Sequence, residues 1–127
     1  MERKHMCGKK LTFEHFQRGR LVKLLLLLLI NEKPSHGYEL SNELTKWGFA
    51  TCLPTNMGPI YRALRELENL GFITSYWDVQ KGVRGPARRV YTITPLGKEI
   101  LLQWIQDLKN QKTLIDKILD LYTKSGE

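Results

Sequence analysis

Residues 56–71 read NMGPIYRALRELENLG, and this stretch decides how the rest of the chain is read. Asn56 is a good helix cap, Pro59 falls in a first turn where its missing N–H costs nothing, and Gly71 supplies a stop. Between them Ile60, Tyr61, Leu64, Leu67 and Leu70 recur at helical spacing, which predicts an amphipathic helix over 57–70. The other face carries Arg62, Arg65, Glu66 and Asn69. Arg62 and Arg65 share an exposed side next to Thr55 and Asn56, where guanidinium groups suit guanine edges in a major groove. The plain alternative is a solvated pair of arginines balanced by Glu66 or Glu68.

Upstream, Ser35 is a candidate N-cap for a helix over 36–47, with Tyr38, Leu40, Leu44 and Trp47 at apolar positions and Gly48 as its stop. Phe49 to Thr55, containing Pro54, has the length of a connection between packed helices. Arg18 to Ile30 is apolar nearly all round, so it predicts a first helix in the middle of the core or at a subunit contact, ended by Asn31 and Pro34. Its run Leu21 to Ile30 is far shorter than the roughly 20 residues a membrane span needs. Asn31-Glu32-Lys33-Pro34 offers no small-residue cleavage site after it, which argues against a secretory signal. Residues 1–17 are polar and basic with little period and read as an arm.

Downstream, Phe72 to Trp77 is aromatic and β-branched, and Arg89 to Thr94 alternates Val90 and Thr92 with Tyr91 and Ile93, which predicts a hairpin. Its loop places Lys81, Arg84, Arg88 and Arg89 around Gly82 and Gly85, so the backbone can approach phosphates without Cβ clashes; a solvated turn is the alternative. Thr94-Pro95 is a cap followed by a first-turn proline, and no breaker follows until Gly126. A helix of about 25 residues, roughly 38 Å long, is expected. Leu101, Trp104, Ile105, Leu108, Ile115, Ile118, Leu119 and Tyr122 draw a stripe along it, interrupted at 109–113, while Leu96, Ile100 and Leu102 lie off that stripe. A domain this small cannot cover such a helix, so it is expected to form a homodimer contact and to help build an effector site. Trp104 is the aromatic expected in the dimer core or a ligand wall.

The fold class expected is therefore mainly α with a small β-hairpin: a basic arm over 1–17, a winged helix-turn-helix over 18–94 and a dimerisation helix over 95–127. Charge supports this division. The chain of 127 residues carries a formal charge of +7. Residues 1–35 hold eight basic residues against three acidic and residues 71–95 four against one, whereas residues 96–127 are balanced at five each. Polyanions thus suit the arm and the hairpin, and a protein partner suits the last helix. Cys7 and Cys52 have no zinc-type spacing and read as reduced thiols in a cytoplasmic protein. His5, His15 and His36 are scattered, and neither an acid pair, a nucleophile motif nor a phosphate loop appears, so no enzyme, cofactor or metal is expected.

The series His36-Gly37-Tyr38-Glu39-Leu40, then Gly58-Pro59-Ile60-Tyr61-Arg62-Ala63-Leu64 leading to Leu67-Glu68-Asn69-Leu70-Gly71, then Arg88-Arg89-Val90-Tyr91 with Thr94-Pro95-Leu96-Gly97, resembles the PadR family of bacterial repressors over about residues 20–100. The order of these motifs is more specific than any one of them. The resemblance implies a cytoplasmic dimer on a near-palindromic operator, modulated by an effector, with Tyr38 and Tyr61 at the heart of the helix-turn-helix. There their rings pack and their hydroxyls can meet phosphate. The hairpin's Gly82-Val83-Arg84-Gly85-Pro86-Ala87 departs from the family's tighter Gly-Arg-Pro-Arg run, and the arm is longer than usual. Phe49-Ala50-Thr51, the helix start Gly58-Pro59-Ile60-Tyr61-Arg62 and the ending Leu121-Tyr122 also resemble a poly-β-hydroxybutyrate-responsive subgroup, which would make a hydrophobic storage polymer or its granule surface the signal. The competing reading is a protein-interaction adaptor using the last helix; steep weakening of DNA binding with salt separates the two.

Overall fold

A computed structural model of the chain describes residues 13–49, 58–79 and 88–126, with side chains from Gly19 to Ser125 within those segments. The elements are α1 (Phe13–Glu32), β1 (Ser35–His36), α2 (Gly37–Lys46), α3 (Gly58–Asn69), β2 (Ile73–Asp78), β3 (Arg88–Ile93) and α4 (Pro95–Gly126). Helices thus dominate, with a small antiparallel sheet and a long last helix.

α1 forms the centre. Leu24, Leu25, Leu26 and Leu27 are all buried, and four successive residues cover a full helical turn, so this part of α1 is enclosed on every side. It meets α2, α3, β3 and α4. α1 begins at Phe13 instead of Arg18, so helical backbone runs into the segment read as an arm. Once the leucine run has nucleated the helix, adding turns upstream fixes few further degrees of freedom per hydrogen bond. Leu40 and Leu44 of α2, Ile60, Ala63, Leu64 and Leu67 of α3, and Ile73, Tyr91 and Leu101 complete the core.

Both short helices end alike. Gly48 (φ +90°) and Gly71 (φ +85°) adopt the left-handed conformation that glycine accepts without penalty. The N–H of Gly48 meets the Thr45 carbonyl and that of Phe49 meets Leu44; after α3, Gly71 meets Glu68 and Phe72 meets Leu67. These paired bonds satisfy carbonyls the helix ends would leave open.

The starts differ more from expectation. Ser35 does not cap α2: its hydroxyl donates to the Lys33 carbonyl, and the cap position is His36, whose N–H donates to Glu39 Oε1 at 3.0 Å. That bond, ahead of the nearby His36 and Lys33 charges, holds the Glu39 carboxyl below its ordinary pKa. Ser35 and His36 instead form a strand, pairing with Tyr91 and Val90, so the expected hairpin is a three-stranded sheet in the order β1-β3-β2. With strands on both sides, β3 buries Val90 and Tyr91 alike.

Thr94 performs the capping expected of it and more. Its hydroxyl accepts the Gly97 N–H at 2.9 Å and donates to the Gly71 carbonyl at 2.7 Å, while its own N–H donates to the Phe72 carbonyl at 3.0 Å. The start of α4 is thereby tied to the end of α3. Thr94→Ala, which removes both hydroxyl bonds, should lower stability by about 1–2 kcal/mol. Urea unfolding followed by circular dichroism reads that loss; an unchanged midpoint would remove Thr94 from this role.

Candidate nucleic-acid interface

α2 and α3 lie against α1 with the sheet following directly. The packing of the two helices depends on Gly37, where a Cβ would stand 2.8 Å from the Tyr61 ring and 2.9 Å from its hydroxyl oxygen. Tyr61 therefore packs over the first turn of α2 while staying partly open at 41% exposure. Tyr38 is 66% exposed and Trp47 64% exposed, so neither belongs to the core stripe expected of α2. Leu70 likewise lies outside the α3 stripe, and Ala63 takes the buried position. The buried residues of α2 are Gly37, Leu40 and Leu44, which leaves the Tyr38 ring at the surface.

Arg62 and Arg65 are both exposed, but they do not do the same thing. Three residues along a helix turn a side chain by about 60°. Arg62 lines a cleft of ≈ 620 Å³ between α1, α3 and α4, together with Glu66, Leu21, Trp104, Asp107 and Leu108. Glu66 is bonded to Lys23 of α1, and that bond, with Arg62 adding to it, lowers the Glu66 pKa. Glu68 instead accepts a 2.8 Å hydrogen bond from Ser75 on β2. Glu66 is thus shared between Lys23 and the charge of Arg62, while Glu68 is bonded to the sheet. Arg65 is on the outer side of α3.

On the sheet, Arg88 and Arg89 are exposed, opposite Asp78 and Trp77 of β2. The Arg89 guanidinium lies over the Trp77 ring, 5.0 Å from its centroid. Sequence places Trp77 only at the end of the first hairpin strand; the register sets it opposite Arg89. His36 sits between two carboxylates, with Nδ1 3.3 Å from Glu39 Oε1 and Nε2 3.9 Å from Asp78 Oδ2, linking the start of α2 to the end of β2. Thr55, Asn56, Lys81 and Arg84 lie outside the described residues, as do Cys7 and Cys52.

α4 divides along its length. Leu101 is buried at 7% exposure, so this member of the expected contact stripe is already covered by its own chain. Trp104 and Ile105 pack partly against the same core, and Trp104 meets Phe72 edge-on at 5.9 Å. Beyond them Leu108, Leu114, Ile115, Ile118, Leu119, Leu121 and Tyr122 are exposed, and the helix passes unbroken through 109–113. No helix among the described residues is long and apolar enough to cross a membrane, and no group of three metal-type ligands occurs among them.

Two core-anchored helices, the second exposing arginine, followed by a three-stranded sheet with cations at its far end, define a winged helix-turn-helix protein. The comparisons name the family. The chain belongs to the Transcriptional regulator PadR-like family, whose pattern matches residues 25–103. It is 35% identical over 88 residues to transcriptional regulator Rv3488 of Mycobacterium tuberculosis, covering 69% of this chain and 75% of that one. An uncharacterized protein X of Lysinibacillus sphaericus is 30% identical over 104 residues, covering 81% and 91%. Among solved structures, a PadR-like transcriptional regulator from Bacillus cereus is similar with a TM-score of 0.66 and 28% identity, covering 78% of this chain and 91% of that one. The protein is accordingly a DNA-binding transcriptional regulator and not an enzyme.

Proposed function

We propose that the protein is a cytoplasmic homodimeric repressor that binds a near-palindromic operator and responds to an effector. The observation that carries this reading is the outer half of α4, where Ile115, Ile118, Leu119 and Tyr122 stay exposed beyond the domain they grow from. A second copy is the simplest cover for such a helix in a family member. A twofold dimer would present two copies of α3 to successive major-groove segments about 34 Å apart, which is why a near-palindrome is expected. In this reading Arg62 and Arg65 read base edges, and Tyr38, Thr55, Asn56 and Tyr61 belong to the same DNA-binding surface. Lys81, Arg84, Arg88 and Arg89 meet the phosphate backbone. Leu108 and Trp104 border the cleft against α1, the natural seat for an apolar effector, whether a small molecule or a segment of hydrophobic polymer.

The test is a selection of bound duplexes from a random library, followed by substitution. Arg65→Ala should cost about 1–3 kcal/mol on the selected operator and much less on random DNA. Arg62→Ala should behave likewise but also weaken the hold on Glu66. Equal losses on both DNAs would reassign the arginine concerned to the backbone, and a selection that enriches no sequence would overturn specific recognition.

A further inference from the structure

Sequence gives Arg89 a charge and a place on a hairpin, but not a conformation. A free arginine samples many rotamers, and each must be given up when the guanidinium meets a phosphate. Three observations define the surroundings of Arg89. Trp77 and Arg89 are directly opposite in the β2–β3 register, so their side chains leave the sheet on the same face. The guanidinium lies over the indole at 5.0 Å, the arrangement in which a ring quadrupole attracts a cation most strongly for tryptophan. The same arginine is near enough to the Tyr91 hydroxyl for its charge to oppose the upward pull of burial on the Tyr91 pKa.

That face is the one turned toward α3. Ser75, two residues before Trp77 on the same side, bonds Glu68, and Tyr61 and Glu68 both act electrostatically on Tyr91. Arg89 therefore lies on the sheet face turned toward α3, one pair in from Asp78 and Arg88 at the loop end of the described strands. The core leaves the indole 60% exposed, so packing does not account for a tryptophan here.

We propose that Trp77 is a positioning residue for DNA binding, holding the Arg89 guanidinium in the orientation in which it meets a backbone phosphate beside α3. This rests on the reading of the sheet's cations as phosphate contacts. The indole touches Arg89 and not the DNA, and its effect is to reduce the conformational freedom lost on binding.

A double-mutant cycle in the full chain tests this, with anisotropy of a labelled random-sequence duplex across a salt series. Arg89→Ala should weaken binding and lower the slope of log affinity against log salt by about 1. Trp77→Leu should weaken binding roughly two- to fivefold, leaving the slope at its wild-type value because the arginine's charge is still present. In the Arg89→Ala background Trp77→Leu should cost nothing further. If Trp77→Leu does not fold, Trp77→Phe enters the same cycle, with a smaller loss that must also vanish. A Trp77 effect that persists undiminished without Arg89 overturns the proposal while leaving the phosphate reading intact. An Arg89→Ala protein with wild-type affinity overturns both.

Discussion

Leu108→Asp combined with Ile115→Asp should turn the proposed α4 homodimer into a monomer at micromolar concentration and abolish operator binding. Both side chains are exposed in the single chain, at 36% and 45%, so neither substitution disturbs the core around Leu26, Leu64 and Leu67. In a dimer along α4 they become buried, and each then forfeits about 1.5–3 kcal/mol of apolar burial. Each carboxylate adds a desolvation cost of several kcal/mol where it has no partner. About 4 kcal/mol is already a thousandfold in a dissociation constant, and the two sites together exceed that. DNA affinity falls with it, because a monomer holds one half-site and loses the effective concentration that the second gains from linkage. Sedimentation gives the oligomeric state, and a circular dichroism melt checks that the winged domain is intact. A doubly substituted protein that stays dimeric would move the interface off α4.

What sequence made legible follows from how far apart the deciding residues lie. α3 and the start of α4 were readable because their signals are local: proline in a first turn, a threonine cap, glycine at the left-handed position and leucines three and four apart. β1 was not, since two residues carry no period and its pairing partners Val90 and Tyr91 lie far downstream. Ser35 looked like the cap because serine usually is one. The strand pairing captured it, and the cap moved to His36, where Glu39 reaches back to the backbone.

The candidate interface divides in the same way. That Arg62 and Arg65 are exposed was visible in the stripe they avoid. That Arg62 borders a cleft with Trp104 and Leu108 was not, because it requires the packing of α4 across α1. Tyr61 counted as apolar in the pattern, yet it rides over Gly37 with an open edge. Amphipathic rings satisfy a hydrophobic period without being buried by it. Leu101 shows the converse: a helical stripe records which residues need cover, but not whether the cover comes from the same chain or another.

Gly97→Ala should be strongly destabilising among the described glycines, although the residue lies in a helix where alanine is normally preferred. A Cβ there would stand 2.0 Å from the Phe72 carbonyl oxygen and 2.8 Å from Ile93 Cγ1. The first neighbour is backbone and cannot rotate away. Nor can it shift cheaply, since the same oxygen accepts the Thr94 N–H at 3.0 Å and the next carbonyl upstream, that of Gly71, accepts the Thr94 hydroxyl. Relieving the clash means lifting the first turn of α4 off the end of α3, which breaks the cap and loosens the edge-on contact of Phe72 with Trp104. Overpacking costs about 1–3 kcal/mol, and a clash with backbone belongs at the upper end, which for a domain of this size lowers the melting temperature by roughly 10 °C. Gly19→Ala supplies the contrast, because nothing lies within 4 Å of the added Cβ and the position is helical. There the methyl group should raise stability by roughly 0.5–1 kcal/mol. Thermal melts of the two variants beside the wild type measure both signs at once. If Gly97→Ala melts with the wild type, the close approach of α4 to Phe72 is not what fixes the last helix on the winged domain.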